Sequence, residues 1–317
     1  MAGLRRGRVR RRPPRVRQPD AAVRPLNGSR ALSGTAPIPT GRLRQRATSA
    51  AILIPPLVVA LLLGGPWIVA VVALVTALAA RETFQLLTGA GYPSLAWLGL
   101  AFAVALVLDA AVVPAIESSG ILLVATGSIL AAVGAFTRPD PREGLPTWFG
   151  TVFGSLYASL LGFVLRLGHA APAGAPDAPL AGLGPDRGWI VLLVLAVWSY
   201  DTGAYLIGKR FGRARFLEHI SPSKTYAGLI GGIAATTVVV AVVLASLGQP
   251  WTGAILLGPL LALAAQAGDL AESMLKRAAG AKDSGTLIPG HGGILDRVDS
   301  FLFAAPVALL YVLAAYR

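Results

Sequence analysis

The sequence predicts an all-α integral membrane protein, a polytopic bundle of about nine transmembrane helices with a cytosolic N-terminus. Of its 317 residues, 55% are hydrophobic and only 14% are charged, which is too apolar for a soluble domain of this length. Long apolar runs alternate with short polar segments, as in proteins that cross the bilayer several times. The chain has no cysteine, which excludes thiolate metal ligands and cysteine nucleophiles.

Residues 1–48 are predicted to form a first region, a disordered basic arm. They contain thirteen arginines and one aspartate, so the rest of the chain carries only about +1 of the net charge of +13. The charge therefore does not indicate a nucleic-acid partner. Two roles remain open for the arm, attraction to anionic lipid and a topology determinant with no further function. It does not resemble a signal peptide, because the apolar run from Ala50 follows too long a basic region and lacks a cleavage site.

Residues 49–317 are predicted to form the transmembrane domain, with its catalytic half at about 188–317. The run from Ser49 to Ala80 is long enough for two short spans if Gly64-Gly65-Pro66 makes the turn. The seven later spans are expected near 95–113, 120–136, 147–167, 189–207, 226–247, 252–271 and 298–316.

Loop charge supports this count. With nine spans that start inside, the inner loops contain Arg81, then Arg138 and Arg142, then 209–224 and 276–297. The outer loops are nearly free of basic residues, as the positive-inside rule requires. We therefore expect a multi-pass protein of the inner (plasma) membrane whose active site faces the cytoplasm. A homodimer is compatible with this pattern, which does not define the oligomeric state.

A polar motif, Ser199 to Tyr205, interrupts the sixth span. An aspartate at the centre of a membrane helix costs about 2.5 to 3.5 kcal/mol on insertion scales, so Asp201 should face the bundle interior or water. We interpret it as a polar wall of the active cavity. The alternatives are a hydrogen bond between helices and a side chain that reaches the interface.

The inner loop that ends at Ser221-Pro222-Ser223-Lys224-Thr225 is a second candidate. Ser221 could cap the following helix, Pro222 suits a first helical turn, and exposed N–H groups there would favour an anion. Lys224 and Thr225 add a charge and a hydroxyl. The alternative is an ordinary basic loop with a helix cap.

The stretch from Gly268 to Asp299 carries most of the chemistry, with five carboxylates, two lysines, two arginines and a histidine. Asp269 and Glu272 share a helix face that Lys276 continues, and Asp296 and Asp299 repeat the i, i+3 spacing. Hard oxygen ligands beside basic residues suit Mg²⁺ that arrives with substrate phosphates. The alternative, basic loop residues simply paired with carboxylates, leaves the Pro289-Gly290-His291-Gly292-Gly293 loop unexplained.

The candidate site residues lie in these motifs, and the choice of Tyr205 among them rests on a family resemblance. The candidate catalytic residues are Asp269, Asp296, Lys276, Lys282, His291 and Arg297, with Asp269 and Asp296 as metal ligands. The candidate substrate-binding residues are Asp201, Tyr205, Ser221, Lys224, Thr225, Arg277, Asp283, Gly292, Gly293 and Asp299. For His291, three roles remain open: phosphate donor, general acid to pyrophosphate, and structural hinge.

The run from Ser273 to Asp299, SMLKRAAGAKDSGTLIPGHGGILDRVD, resembles the signature of the phosphatidate cytidylyltransferase (CDP-diacylglycerol synthase) family at all of its fixed positions. Ser-Pro-x-Lys-Thr followed by Gly, and the Asp and Tyr at 201 and 205, are further family landmarks. Ala227 departs from the pattern, since many relatives carry an acidic or amide residue there. The resemblance implies a helical membrane bundle, and it marks Asp269 and Asp296 as metal ligands.

The resemblance also implies a reaction, transfer of CMP from CTP to phosphatidate with release of pyrophosphate. One alternative is a CTP-dependent enzyme that acts on a prenyl glycerol phosphate or a polyprenol. An ion-coupled transporter that uses Asp201 and Asp269 is another, although no internal repeat is visible. A CDP-alcohol phosphotransferase is disfavoured because the chain lacks a D-G-x-x-A-R run.

Overall fold

The computed structural model describes residues 55–112, 118–287 and 292–316. Within these ranges the regular structure is helical, with no named strand and an isolated bridge between Arg215 and Thr225. Residues 55–63 are helical. The nine helices named here are α1 (Pro66–Gly89), α2 (Ala96–Ala110), α3 (Ser119–Ala135), α4 (Pro141–Ser159), α5 (Phe163–Ala170), α6 (Gly184–Phe211), α7 (Tyr226–Ser246), α8 (Ala254–Ala278) and α9 (Leu295–Tyr316). The predicted arm, 1–48, and His291 lie outside the described residues.

Six helical stretches in the described part of the chain are long and apolar enough to cross a membrane. They are Pro66–Gly89, Pro141–Ala170, Ala181–Phe211, Tyr226–Ser246, Trp251–Ala278 and Leu295–Tyr316. Helices α2 and α3 are apolar but shorter. The all-α, multi-pass prediction is confirmed at this level, whereas the count of nine spans stays a prediction.

Glycine sets the entry to α1, as the sequence predicts. Gly64 and Gly65 have φ angles of 68° and 46°, which residues with a Cβ atom rarely adopt. Pro66 then occupies the first helical turn, where its missing N–H costs nothing. The turn expected at Gly64-Gly65-Pro66 is therefore present.

Several helices are longer than the hydropathy pattern suggests. Helix α1 continues to Gly89, so Arg81, expected in an inner loop, lies within the helix. Helix α8 likewise extends beyond Ala271, and its last turn contains Lys276 and Arg277. The reason is the same in both helices: polar side chains on these extensions find partners within the protein, so the helix need not end where its apolar run ends.

Small residues allow the helices of the catalytic half to approach closely. A Cβ atom on Gly203 of α6 would lie 2.8 Å from the carbonyl oxygen of Gly231 in α7, and one on Gly232 would lie 2.5 Å from the Tyr200 ring. Such small-residue contacts are typical of membrane helix pairs. The glycines that follow Thr225 therefore pack α7 against α6.

Helices α8 and α9 cross at Gly268. A Cβ atom there would lie 2.3 Å from the carbonyl oxygen of Asp299 and 3.0 Å from Cα of Ser300. This close approach places the polar end of α8 beside the first turns of α9, and thereby brings together the two ends of the Gly268–Asp299 stretch.

Candidate active site

Lys276 is the centre of the polar cluster between α8 and α9. Its Nζ atom donates to Asp296 Oδ1 at 2.7 Å and to Glu272 Oε2, one turn earlier in α8. The Glu272 side chain is 1% exposed and that of Lys276 is 14% exposed. A charge this deeply buried requires an opposite charge nearby, so the lysine and its two carboxylates stabilise one another.

The second oxygen of Asp296 is held by the preceding loop. Oδ2 accepts hydrogen bonds from the backbone N–H of Gly293 at 2.8 Å and from that of Ser284 at 3.0 Å. The Ser284 hydroxyl lies 2.9 Å from the same oxygen. Asp296 thus fixes the loop to the start of α9, while Lys276 joins Asp296 to α8.

A second ion pair joins α8 to the loop before α7. Lys224 Nζ lies 2.8 Å from Asp269 Oδ2, and both side chains are about one-quarter exposed. Gln266 Nε2 donates to the same oxygen at 3.5 Å, and the buried Tyr200 hydroxyl lies 2.5 Å from Gln266 Oε1. This chain of contacts orients the Asp269 carboxylate from within the bundle.

Further charges surround the two ion pairs. Asp201 lies within electrostatic range of Lys224, Asp269 and Arg297. The buried Asp299 is within range of Asp269 and Lys276. The structure therefore gathers charged residues from all three sequence motifs at one end of the α6–α9 bundle. A polyphosphate and its cation bind best at a partly buried site that carries both positive and negative charges.

The loop before α7 differs from the prediction in one respect. The N-cap of α7 is Thr225, whose Oγ1 accepts a hydrogen bond from Gly228 N–H at 3.1 Å. The expectation that Ser221 caps this helix is wrong, because residues 221–225 form a turn before the helix begins. Ser221 is instead buried, and its carbonyl accepts from Lys224 N–H.

Arg277 connects the two loops of the site. Its Nε donates to the carbonyl of Ile220 and its NH1 donates to that of Ala281, both at 3.4 Å. The side chain is exposed. Arg277 therefore bridges the loop before α7 and the loop after α8, and its position at their junction leaves it accessible to an anionic ligand.

The remaining predicted residues lie at the margin of the cluster. Lys282, Asp283 and Arg297 are exposed. Tyr205 is 63% exposed and lies against Lys209. The assignment of Tyr205 to substrate binding stays a prediction.

The glycines of the candidate loop make room for carboxylates of this chain. Gly292 has a φ of 82°, and a Cβ atom on it would lie 2.4 Å from Asp296 Oδ2. One on Gly293 would lie 2.2 Å from Glu82 Oε2. The space beside these two glycines is therefore occupied by carboxylates of the protein itself.

Glu82 of α1 is the site residue that sequence reasoning missed. Its Oε1 accepts from Ile294 N–H at 3.0 Å, and its Oε2 accepts from Leu295 N–H at 2.8 Å. The Ser284 hydroxyl lies 2.9 Å from Oε2. A carboxylate within an apolar helix indicates a functional residue. Because the predicted span ended at Ala80 and Arg81 was placed in a loop, Glu82 was not recognised as part of a membrane helix.

Some of the carboxylates at the site could bind a divalent cation, and others are already engaged by the protein. Asp269, Asp201 and Asp299 offer hard oxygen atoms of the type that Mg²⁺ prefers. Asp296, in contrast, has both oxygens engaged by Lys276, Ser284 and Gly293. In the described part of the chain, no group of three or more His, Asp or Glu residues is arranged to hold a metal ion by itself. Substrate phosphates would have to complete such a site.

The fold and site define a helical membrane protein with a site suited to phosphate chemistry, and comparisons with known proteins agree. The model of the Cytidylyltransferase family matches residues 44–315, so the chain belongs to that family. A protein of Synechocystis named phosphatidate cytidylyltransferase is 37% identical over 289 residues, covering 84% of this chain and 96% of the relative. The resemblance read from the sequence is thereby confirmed.

Two further relatives with the same name match a shorter part of the chain. The protein of Bacillus subtilis is 45% identical over 134 residues, which cover 40% of this chain and 47% of the relative. That of Brucella suis is 49% identical over 129 residues, which cover 40% of this chain and 46% of the relative. Each of these shorter matches spans about half the length of the relative.

Proposed function

We propose that this protein transfers CMP from CTP to phosphatidate, giving CDP-diacylglycerol and pyrophosphate. The relatives that match it are named for this activity. The structural observation that carries the proposal is the position of Lys276 between Glu272 and Asp296, beside the Lys224–Asp269 pair. Two lysines held in fixed positions at the end of a membrane bundle can bind the phosphates of a lipid and of a nucleoside triphosphate. The transfer requires these two substrates to lie next to each other.

The reaction requires one bond to form and one to break. A phosphate oxygen of phosphatidate attacks the α-phosphorus of CTP, and the bond from that phosphorus to the oxygen bridging to the β-phosphate breaks. Pyrophosphate leaves with that oxygen. No protein nucleophile is needed, since such transfers depend on positioning and on neutralisation of negative charge.

The residues of the chain have distinct tasks in this scheme. Lys224 and Lys276 supply positive charge near the phosphates, and the carboxylates paired with them keep both ammonium groups in place. The exposed Arg277, Lys282 and Arg297 are placed to attract the triphosphate and to neutralise departing pyrophosphate. Asp296 holds Ser284 and Gly293 against this cluster, so that the bound substrates meet a preformed surface.

We propose that Mg²⁺ assists, held by Asp269 together with substrate phosphates and with Asp201 and Asp299 nearby. When bound, it would neutralise phosphate charge and polarise the phosphorus–oxygen bonds. Asp296 stays a predicted ligand, because its binding to a metal would require rearrangement of its contacts with Lys276 and Ser284.

We further propose nine spans with the site on the cytoplasmic side of the inner membrane, where CTP is present. The basic residues of α8 and of the loop before α7 lie at the same end of the bundle as the site, as the positive-inside rule predicts for a cytoplasmic face. A homodimer stays a prediction.

Purified protein in detergent with CTP, Mg²⁺ and phosphatidate tests the activity. We expect equal amounts of CDP-diacylglycerol and pyrophosphate. A parallel reaction in which phosphatidate is replaced by a prenyl glycerol phosphate or by a polyprenol tests the acceptor. Product from one of those lipids but not from phosphatidate would reassign the substrate, and no product with any acceptor would refute the proposed transfer.

A further inference from the structure

Glu82 connects the first described membrane helix to the candidate active site. It lies in α1, whereas its described hydrogen-bond partners, Ser284, Ile294 and Leu295, lie more than 200 residues later. Its side chain is buried, with 5% exposure. Helix α1 thus contributes a carboxylate to a site otherwise built from the C-terminal half of the chain.

The contacts of Glu82 are those of a helix cap supplied by another helix. The first N–H groups of an α-helix have no partner within the helix, and at α9 two of them, from Ile294 and Leu295, donate to Glu82. The negative carboxylate also interacts favourably with the positive end of the helix dipole. Glu82 therefore determines where α9 begins and in which direction its first turn points.

That first turn contains Asp296, so the effect of Glu82 reaches the ion-pair cluster. Ser284 makes the second connection, since its hydroxyl lies 2.9 Å from Glu82 Oε2 and 2.9 Å from Asp296 Oδ2. Asp296 in turn accepts from Lys276. A displacement of Glu82 would thus move both the loop and the helix turn that hold Asp296 against Lys276.

The loop sequence is adapted to this contact. A Cβ atom on Gly285 would lie 2.6 Å from Glu82 Oε1, and one on Gly293 would lie 2.2 Å from Glu82 Oε2. Both glycines therefore leave space for the same carboxylate. The space they leave shows that the two segments of the loop fit around the Glu82 side chain.

Helix α1 also touches the other side of the site. A Cβ atom on Gly89, at its end, would lie 3.3 Å from Cβ of Ala279, just after the last turn of α8. One helix therefore contacts both segments that border the 280–294 loop. Movement of α1 would change the spacing between Lys276 on α8 and Asp296 on α9.

We propose that Glu82 is a positioning residue for the proposed transfer, acting through Ser284 and the first turn of α9 to hold Asp296 against Lys276. This inference rests on the proposed function, because it assigns Glu82 a task in that reaction. It makes the amino-terminal half of the bundle part of the catalytic apparatus, and not only a membrane anchor.

The test is Glu82→Gln in the full-length protein, compared with the wild type in detergent. Glutamine keeps the size of the side chain but replaces one acceptor oxygen with a donor that faces N–H groups. We expect kcat per folded molecule to fall about 10- to 100-fold, the range found when groups that orient site residues are removed. We expect KM for CTP to change much less, because the exposed basic residues are unaltered. Thr83→Ala is the matched control, since the described hydrogen bond of its buried hydroxyl, to the Ala79 carbonyl, lies within α1.

Hydrogen exchange supplies a readout independent of activity. In Glu82→Gln the amides of Ile294 and Leu295 should exchange faster, whereas those in the middle of α9 should not. Normal kcat per folded molecule would overturn the positioning role, and unchanged exchange at both amides would overturn the contact itself. A wild-type protein without transferase activity would refute the proposed function, while the exchange result would still decide whether Glu82 caps α9.

Gly285→Ala keeps the proposal testable if Glu82→Gln does not fold. The added methyl group would displace the carboxylate without removing its charge. We expect the same pattern of reduced kcat and faster exchange to a smaller extent. Gly182→Ala is its control, because a Cβ atom on Gly182 would have no neighbour within 4 Å. Wild-type kcat and wild-type exchange in folded Gly285→Ala would contradict the proposal.

Discussion

Lys276 Nζ lies 2.7 Å from Asp296 Oδ1, and this contact joins the end of α8 to the start of α9 across a loop of the candidate site. The same ammonium also bonds Glu272, whose second oxygen, Oε1, is buried without a described partner. The lysine is therefore in direct contact with two carboxylates. Its removal would leave both without their counter-charge.

Lys276→Met should reduce both stability and activity. Loss of one partner from a buried ion pair typically costs about 3–5 kcal/mol, so we expect a clearly lower melting temperature. Activity per folded molecule should fall at least about 100-fold, because a positive charge near the phosphates is lost. Thermal melting and initial rates on the same samples measure the two effects. Arg142→Met, which removes an exposed charge at the start of α4, is the control, and equal activity in the two variants would exclude a role for Lys276 in the reaction.

Deletion of residues 1–43 should leave turnover in detergent largely intact. The family match begins at residue 44, and the candidate site residues all follow it. On vesicles that contain anionic lipid, any loss of activity should shrink as salt is added, because salt screens the attraction of the arm to the surface. The measurement compares rates in detergent and on vesicles over a range of ionic strength. An inactive truncated enzyme in detergent would place the arm in the fold or in the site.

Single cysteines at Ser223 and Thr286 should be labelled from the same side of the membrane. Both residues are exposed, one in each loop of the site, and the natural chain has no cysteine. Ser284 is unsuitable because it is buried between two carboxylates. A membrane-impermeant thiol reagent applied to inverted and to right-side-out vesicles gives the readout. Labelling from opposite sides would contradict a single site built from both loops, and labelling of both only from the periplasmic side would contradict the cytoplasmic orientation.

The sequence predicted much of this architecture because the relevant signals are local. Apolar runs located the helices, and the i, i+4 spacing of Glu272 and Lys276 anticipated their contact. The signature residues also indicated the segment that contains Lys276 and Asp296, whose side chains pair. These inferences need only the helical repeat and the cost of charge in an apolar environment.

What could not be predicted depends on contacts between distant segments. The Glu82 carboxylate bonds Ile294 across 212 residues, and nothing in the sequence near either residue specifies that pairing. The pairing of Lys224 with Asp269 is similarly a product of how α7 and α8 pack. The capping error at Ser221 has a local cause, since two neighbouring residues of similar chemistry, Ser221 and Thr225, compete for one role.

Gly268→Ala should destabilise the protein and weaken the site together. The new methyl group would lie 2.3 Å from the backbone carbonyl of Asp299, and backbone cannot move aside as a flexible side chain can. The two helices must separate, which would lengthen the Lys276–Asp296 contact. We expect a lower melting temperature and a several-fold loss of activity per folded molecule, whereas Gly182→Ala should have neither effect. Wild-type melting of Gly268→Ala would show that the helices are less closely packed than described.

Asp269→Asn and Asp296→Asn should differ in their dependence on Mg²⁺. The Asp269 side chain is about one-quarter exposed and pairs with a partly exposed lysine, so its neutralisation should change stability by at most about 1 kcal/mol. If Asp269 holds the cation, the variant should need much more Mg²⁺ and remain far less active at saturation. Asp296 makes more contacts with the protein, so Asp296→Asn should lower the melting temperature as well as the activity.

The experiment is a Mg²⁺ titration of activity per folded molecule, with melting followed on the same samples. Near-normal activity and an unchanged Mg²⁺ requirement in folded Asp269→Asn would remove Asp269 from the metal site, and a melting loss with normal activity in Asp296→Asn would reduce Asp296 to a structural ion pair.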